Sequence, residues 1–193
     1  SDILTLDLET QLTPFPNFQN LNKVVANIPY NITGPILEKL LGTITKPASH
    51  SYEWIVLLIQ KEVAERLVAQ PGTKAFGALS VRIQYLAACE WICDVPATAF
   101  YPPPKVDSAV VRLRPQPIVL PAHNPRQLEI LVQLGFASRR KMLRNNLKSV
   151  IEIDRLTPLL KQLNINPQTR AEELDVHQWI ALSNQIALDL DNL

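Results

Sequence analysis

Apolar positions change their period along the chain, and the changes mark where one kind of structure gives way to another. Residues 21–26, Leu-Asn-Lys-Val-Val-Ala, read as a short β-rich segment that runs into Asn27 and Pro29. Thr33, Gly34 and Pro35 then open an apolar-periodic stretch over 36–41, which Gly42 closes. A proline near the first helical position, where its missing N–H leaves nothing unpaired, and a glycine just past the last position are the two ends of a helix. The spacing therefore predicts strand, loop, helix. Residues 52–59 follow as a near-continuous apolar run, the pattern of a strand buried on both faces. An amphipathic helix is predicted over 61–69, stopped by Pro71 and Gly72, and another over 78–88 with Leu79, Ile83 and Leu86 on one face.

Residues 90–95 and 108–113 predict two strands on either side of Pro96 and the run Pro102-Pro103-Pro104. No helical stretch separates them, which points to an antiparallel hairpin at a sheet edge. From Pro125 onward the helical period dominates, with helices predicted over 126–136, 139–151, 156–163 and 171–187. The expected organisation is an α/β unit over 1–120 and a small all-α domain over 121–193.

Composition narrows this picture. At 193 residues and 47% hydrophobic content the chain has the profile of a soluble globular protein. No apolar run approaches the ~20 residues that span a bilayer, and the longest, over 54–59, ends at Gln60 and Lys61. Cys89 and Cys93 stand four apart without a nearby histidine, which fits neither a zinc knuckle nor a disulfide framework; two small residues in a reducing cytoplasm are expected. The opening Ser1-Asp2-Ile3-Leu4 has no initiator methionine, basic n-region or apolar signal core, and a truncated chain is expected.

The formal net charge of +1 hides an uneven distribution. Arg139, Arg140, Lys141, Arg144 and Lys148 fall within ten positions that contain no acid. From Ile151 the balance reverses, with Glu152, Asp154, Glu172, Glu173, Asp175, Asp189 and Asp191 against Arg155, Lys161 and Arg170. On a helix over 139–151, Arg140, Arg144 and Lys148 would share one face, with Met142, Leu143, Leu147 and Val150 facing elsewhere. A solvated helix face is the ordinary alternative, but the missing acids favour contact with a phosphate backbone. Lys105, beside the triple proline, is a second candidate for the same work.

An asparagine at the C-terminal end of an apolar strand sits where α/β sheets bind ligands, and a nearby proline stiffens the backbone there. The side-chain oxygen of Asn27 and a neighbouring backbone carbonyl can accept the two hydrogens of an exocyclic amine, while the Tyr30 ring can stack on a base. Adenine N6 is a poor nucleophile, because its lone pair is delocalised into the ring; two aligned acceptors draw it towards a reactive geometry, and no strong base is needed. This agrees with His50, His123 and His177 being scattered, with no catalytic triad and no metal cluster expected. Phe100, next to the stiff proline run, offers a second stacking wall. The plainer readings are a turn-forming Asn-Ile-Pro-Tyr and a core phenylalanine.

Four segments agree in order and spacing with one family. Asn27-Ile28-Pro29-Tyr30-Asn31-Ile32, residues 60–67 (Gln-Lys-Glu-Val-Ala-Glu-Arg-Leu), residues 99–110 (Ala-Phe-Tyr-Pro-Pro-Pro-Lys-Val-Asp-Ser-Ala-Val), and Arg139-Arg140-Lys141 with 143–147 (Leu-Arg-Asn-Asn-Leu) resemble the KsgA/Dim ribosomal RNA adenine dimethyltransferases over nearly the whole chain. The resemblance implies an α/β fold: the C-terminal half of a Rossmann-like class I methyltransferase sheet followed by a small all-α, RNA-binding domain. It implies that Asn27, Ile28, Pro29, Tyr30 and Phe100 hold the target adenine, and that S-adenosyl-L-methionine is the cofactor. Ser1-Asp2-Ile3-Leu4 resembles the segment whose aspartate accepts a hydrogen bond from the cofactor's adenine, so Asp2, Ile3 and Asn27 would be cofactor contacts. The five glycines, Gly34, Gly42, Gly72, Gly77 and Gly135, form no G-x-G pattern, and no ribose-binding acid follows an early strand. The isolated chain is therefore expected to be inactive.

By the same resemblance, the expected reaction is N6-dimethylation of two adjacent adenosines near the 3′ end of small-subunit rRNA during ribosome biogenesis. The partner would be the immature small subunit, and the protein a cytoplasmic monomer. Erm-type large-subunit methyltransferases share the Asn-Pro-aromatic core, but residues 139–147 and 166–173 resemble the small-subunit branch. A non-catalytic RNA-binding assembly factor is the alternative outside enzymes.

Overall fold

The computed structural model describes residues 2–18, 21–49, 52–116 and 120–186. Ser1, His50, Ala187, Asp189 and Asp191, named above, lie outside the described residues. Backbone contacts group the chain into two compact units, residues 1–68 with 86–116, and residues 69–85 with 117–193.

The first unit contains helices α1 (Leu8–Leu12), α2 (Thr33–Leu41) and α3 (Lys61–Val68), and strands β1 (Lys23–Asn27), β2 (Trp54–Gln60), β3 (Ala87–Val95) and β4 (Ser108–Pro115). The strands form one sheet in the order β1-β2-β4-β3. β1 and β2 are parallel, which requires a crossover, and α2 supplies it. β4 is antiparallel to both β2 and β3, so the hairpin places β3 at the edge as the Pro-flanked pattern predicts.

Ile55, Leu57, Ile59, Ala109, Val111 and Leu113 are completely buried on one face, where α3 crosses β2, β3 and β4 and contributes buried Ala64 and Leu67. Burying each of the isoleucine, leucine and valine side chains among them stabilises the fold by about 1.5–3 kcal/mol. The run over 52–59 was expected to be buried on both faces; instead Trp54, Val56 and Leu58 are half-buried and alternate with the core positions. The reason lies in the neighbouring strand, which puts Arg112 and Arg114 on the Trp54 side, their guanidinium groups 4.5 and 5.5 Å from the indole ring.

The second unit holds α4 (Ala78–Leu86) up to Tyr85, α5 (Pro125–Gly135), α6 (Leu143–Asn146), α7 (Ile153–Gln162) and α8 (Val176–Gln185). The helix expected over 78–88 stops at Leu86 because Ala87, Ala88 and Cys89 are taken into the ladder opposite Pro115, Arg114 and Leu113. Long-range pairing overrides the local period there. The helix expected over 171–187 is a 3-10 turn, Ala171–Glu173, followed by α8. The break is made by a capping box: Gln178 N–H donates to Asp175 Oδ1 at 2.7 Å, and Asp175 N–H donates to Gln178 Oε1 at 3.1 Å.

The largest departure is at 139–151, where one turn, α6, stands in place of a long helix. Met142 is extended, at φ −59° and ψ 146°, and interrupts the helical path. Leu143 N–H donates to Thr169 O at 2.8 Å, and the Asn146 amide donates to Gly135 O at 2.5 Å and Ser138 O at 3.0 Å. These bonds tie 143–146 to segments distant in sequence and replace the intrahelical ladder. Arg140, Arg144 and Lys148 consequently do not form a stripe on one helix face. In the same unit Leu128, Leu131, Leu143, Leu147, Leu156, Leu160 and Trp179 are fully buried. Among the described residues, no helix is long and apolar enough to cross a membrane.

Candidate functional site

β1 ends at Asn27, paired with Leu58, and Ile28 N–H extends the ladder by donating to Leu58 O at 3.4 Å. Ile28 is buried, which fixes the chain as it leaves the sheet. Pro29 follows at φ −61° and ψ 134°, and Tyr30–Ile32 make a 3-10 turn that leads into α2. The Pro29 carbonyl closes that turn by accepting from Ile32 N–H at 3.3 Å, and Thr33 Oγ1 donates to Tyr30 O at 3.2 Å. Two polar groups are left over. The exposed Asn27 side chain and the carbonyl of Ile28 have no hydrogen-bond partner among the described residues.

Phe100 reaches the same place from the β3–β4 connection. A 3-10 turn, Ala97–Ala99, ends with Phe100 N–H donating to Ala97 O at 3.2 Å, and the Tyr101–Pro102 peptide that follows is cis. The Phe100 ring is half-buried, whereas Tyr101 is fully exposed. A cleft of about 400 Å³ is lined by Asn27, Ile28, Pro29, Tyr30, Phe100, Tyr101, Pro102 and Pro104. Every residue that the sequence assigns to adenine binding therefore lines one cleft, although the two segments lie some seventy positions apart. Its walls are aromatic and proline surface, its unpaired polar atoms include two acceptors, Asn27 Oδ1 and the Ile28 carbonyl, and it contains no ionisable acid or base apart from two phenols. That combination suits a flat ring carrying an amino group.

Sequence reasoning passed over Tyr101, Pro102 and Pro104 as lining residues, and the signal available was adjacency to Phe100. It also missed the hydroxyl of Ser108, which lies 2.5 Å from Tyr30 Oη. Lys105 is exposed beside the cleft's proline run and has no ion pair among the described residues.

Asp2 and Ile3 are exposed and do not line this cleft. Asp2 Oδ1 accepts from Leu4 N–H at 2.9 Å, and Lys39 Nζ donates to the carbonyls of Leu4 and Leu6 at 3.2 and 2.8 Å, anchoring the segment to α2. Asp2 and Asn27 offer polar contacts at the edge of a cofactor but no cradle for its ribose and amino-acid portions. The residues described here do not by themselves fit a complete S-adenosylmethionine site.

In the helical unit, Arg139 is committed elsewhere than to a phosphate. Its guanidinium donates to Glu172 Oε2 at 2.8 Å and to the carbonyls of Lys74 and Phe76 at 2.7 and 3.1 Å. Glu172, counted above with the acidic C-terminal stretch, is thereby brought to the basic one. Arg140, Lys141 and Lys148 are exposed and Arg144 is half-buried, and none has an ion pair among the described residues.

Three ionisable groups away from the cleft are perturbed, and burial raises the Tyr52 phenol above its usual range. Burial pushes the Cys89 thiol up to about 12. Lys61 is raised above the usual lysine range, chiefly by its hydrogen bond to Asp94 at 2.8 Å. Among the described residues, no group of three or more His, Cys, Asp or Glu side chains could hold a metal ion.

Comparison with known proteins bears on both units. The ribosomal RNA small subunit methyltransferase A of Nostoc punctiforme is 68% identical over 187 residues, which make up 97% of this chain and 65% of that protein. The protein of the same name from Trichormus variabilis is 66% identical over 188 residues, 97% of this chain and 69% of that one. The chain thus spans about two thirds of the length of these relatives. Among solved structures, a dimethyladenosine transferase from Plasmodium falciparum superposes with a TM-score of 0.68 at 24% identity, covering 83% of this chain and 65% of that one. The 23S rRNA methyltransferase ErmE gives a TM-score of 0.68 at 24% identity, covering 95% and 68%. Both show the Rossmann-like α/β methyltransferase fold and, at that identity, the fold alone. The ribosomal RNA adenine dimethylase family matches residues 1–188, and the chain belongs to that family.

Proposed function

We propose that this protein dimethylates N6 of two adjacent adenosines near the 3′ end of small-subunit rRNA, acting on the immature small ribosomal subunit as a cytoplasmic monomer. The observation that carries this reading is the cleft in which two unpaired acceptors, Asn27 Oδ1 and the Ile28 carbonyl, lie with Tyr30 and Phe100. A flipped adenine stacked between the two rings presents its amino group to both acceptors. They orient N6 and concentrate its electron density towards an incoming methyl group, which S-adenosyl-L-methionine supplies when bound. The alkylated nitrogen is acidic and releases its proton to water, so the absence of a general base from the cleft is chemically consistent.

Residues 121–193 serve in this reading as the RNA-binding domain. Arg140, Lys141, Arg144 and Lys148 contact phosphates, with Lys105 beside the cleft, while Arg139 holds the local fold. Names of relatives at 62–68% identity support the small-subunit target over the Erm-type alternative.

In the full protein, Asn27→Ala should abolish methyl transfer to small subunits lacking the modification while leaving RNA affinity within about twofold. Near-normal turnover removes Asn27 from the mechanism. Transfer to purified large subunits alone selects the Erm-type reading, and absence of transfer to either selects a non-catalytic assembly factor.

A further inference from the structure

The two aromatic walls of the cleft come from segments far apart in sequence, yet both are tied to one dipeptide, Asp107-Ser108, at the start of β4. Ser108 is fully buried and sits opposite Gln60 in the ladder with β2. A buried hydroxyl needs a partner, and the partner of Ser108 Oγ is the phenol of Tyr30, 2.5 Å away and 78 positions earlier. Stacking alone would leave the Tyr30 ring free to tilt; a hydrogen bond at its far end fixes it.

Asp107 acts on the other wall. Its Oδ1 accepts from Ala97 N–H at 2.9 Å and draws together the two ends of the loop that carries Phe100. Its carbonyl accepts from Lys61 N–H at 3.0 Å, which docks that neck at the junction of β2 and α3. β2 also pairs with β1, whose last residue is Asn27. Acceptor and both rings are therefore all referenced to the rigid centre of the sheet.

We propose that Asp107 and Ser108 are positioning residues that set the width and tilt of the slot between Tyr30 and Phe100. This rests on the cleft being the adenine site, and it assigns a role to residues outside the set that touches the base. Because rate is steeply sensitive to alignment, loosening either tie lowers turnover without removing any contact to RNA phosphates.

The test has two arms. In the first, the chain is labelled with 3-fluorotyrosine, giving resonances for Tyr30, Tyr52, Tyr85 and Tyr101, the four tyrosines of the sequence. Each is assigned by its Tyr→Phe variant. Ser108→Ala should shift the Tyr30 signal and leave those of Tyr52 and Tyr85 in place; an unmoved Tyr30 signal overturns the proposal. In the second arm, carried out on the full protein, Ser108→Ala should lower kcat between about 10- and 100-fold with KM for RNA unchanged. Tyr30→Phe should do the same, and the double variant should lose no more than either single one, whereas losses that multiply overturn the pairing. Asp107→Ala should also reduce kcat and Asp107→Asn, which keeps the acceptor oxygen, should restore it. Equal loss in both Asp107 variants would show that charge, not the tie to Ala97, is what matters. A wild-type protein that transfers no methyl group while Ser108→Ala still moves the Tyr30 signal refutes the enzymatic reading and supports the hydroxyl tie.

Discussion

Gly135→Ala isolates the tightest packing in the helical unit. Gly135 is the last residue of α5, and a methyl group added to it would lie 2.4 Å from Trp179 Cη2 and 3.2 Å from Leu143 Cδ1. Carbon atoms pack at about 3.5–4.0 Å, so the indole would have to retreat by roughly 1 Å. It has nowhere to go: Trp179 is fully buried, and its ring centroid is 5.8 Å from that of Phe136. Overpacking of this kind costs about 1–3 kcal/mol, and a rigid ring belongs at the upper end. Against it stands the helical preference of alanine over glycine, at most ~1 kcal/mol. The net effect is a loss of about 2 kcal/mol, or a fall in Tm of about 4–8 °C for a chain of this size.

The same substitution at Gly34 supplies the control. That residue lies in α2 with nothing within 4 Å of an added methyl, so only the backbone preference acts and Gly34→Ala should stabilise by about 0.5–1 kcal/mol. Urea unfolding followed by fluorescence and scanning calorimetry, both resolved by unit, would measure each change. A Gly135→Ala protein as stable as wild type would refute the packing argument, because the indole would then be free to move.

Arg140→Ala, Lys141→Ala and Lys148→Ala should each weaken RNA binding uniformly and reduce the slope of log affinity against log salt by about 0.7–0.9, whereas Arg139→Ala should leave that slope intact and instead lower Tm by a few degrees. A slope change for Arg139 equal to that for Arg140 would return it to the RNA contacts. Iodoacetamide at about pH 8.5, the ordinary thiol pKa, should modify exposed Cys93 and spare Cys89. Burial disfavours the Cys89 thiolate, so its reactivity should rise only as pH approaches about 12; equal labelling by mass spectrometry contradicts that burial. Asp175→Ala removes the side-chain acceptor that starts α8 and should cost about 1 kcal/mol in urea unfolding. An unchanged midpoint would show that the break after Glu173 does not depend on the capping box.

What the sequence determined by itself was local. Pro35 and Gly42 bound a helix because the fixed φ of proline and the conformational freedom of glycine act wherever they stand, and the apolar stretches over 21–26 and 52–59 declared strands because their β-branched and aromatic residues suit a pleated, partly buried surface. The residues of the cleft were legible for a similar reason: Asn27, Pro29, Tyr30 and Phe100 carry their acceptor, stiffness and aromatic faces in any context. Tertiary structure decided whatever required a partner. Ala87 to Cys89 became strand because β4 offered a ladder, and 139–151 broke because Asn146 and Leu143 found carbonyls outside the helix. Arg139 turned inward because the fold brought Glu172, absent from its own neighbourhood in sequence, to its guanidinium. The separation of Tyr30 from Phe100 belongs to the same class, since hydrogen bonds across 78 and 10 positions set it and no periodicity along the chain encodes them.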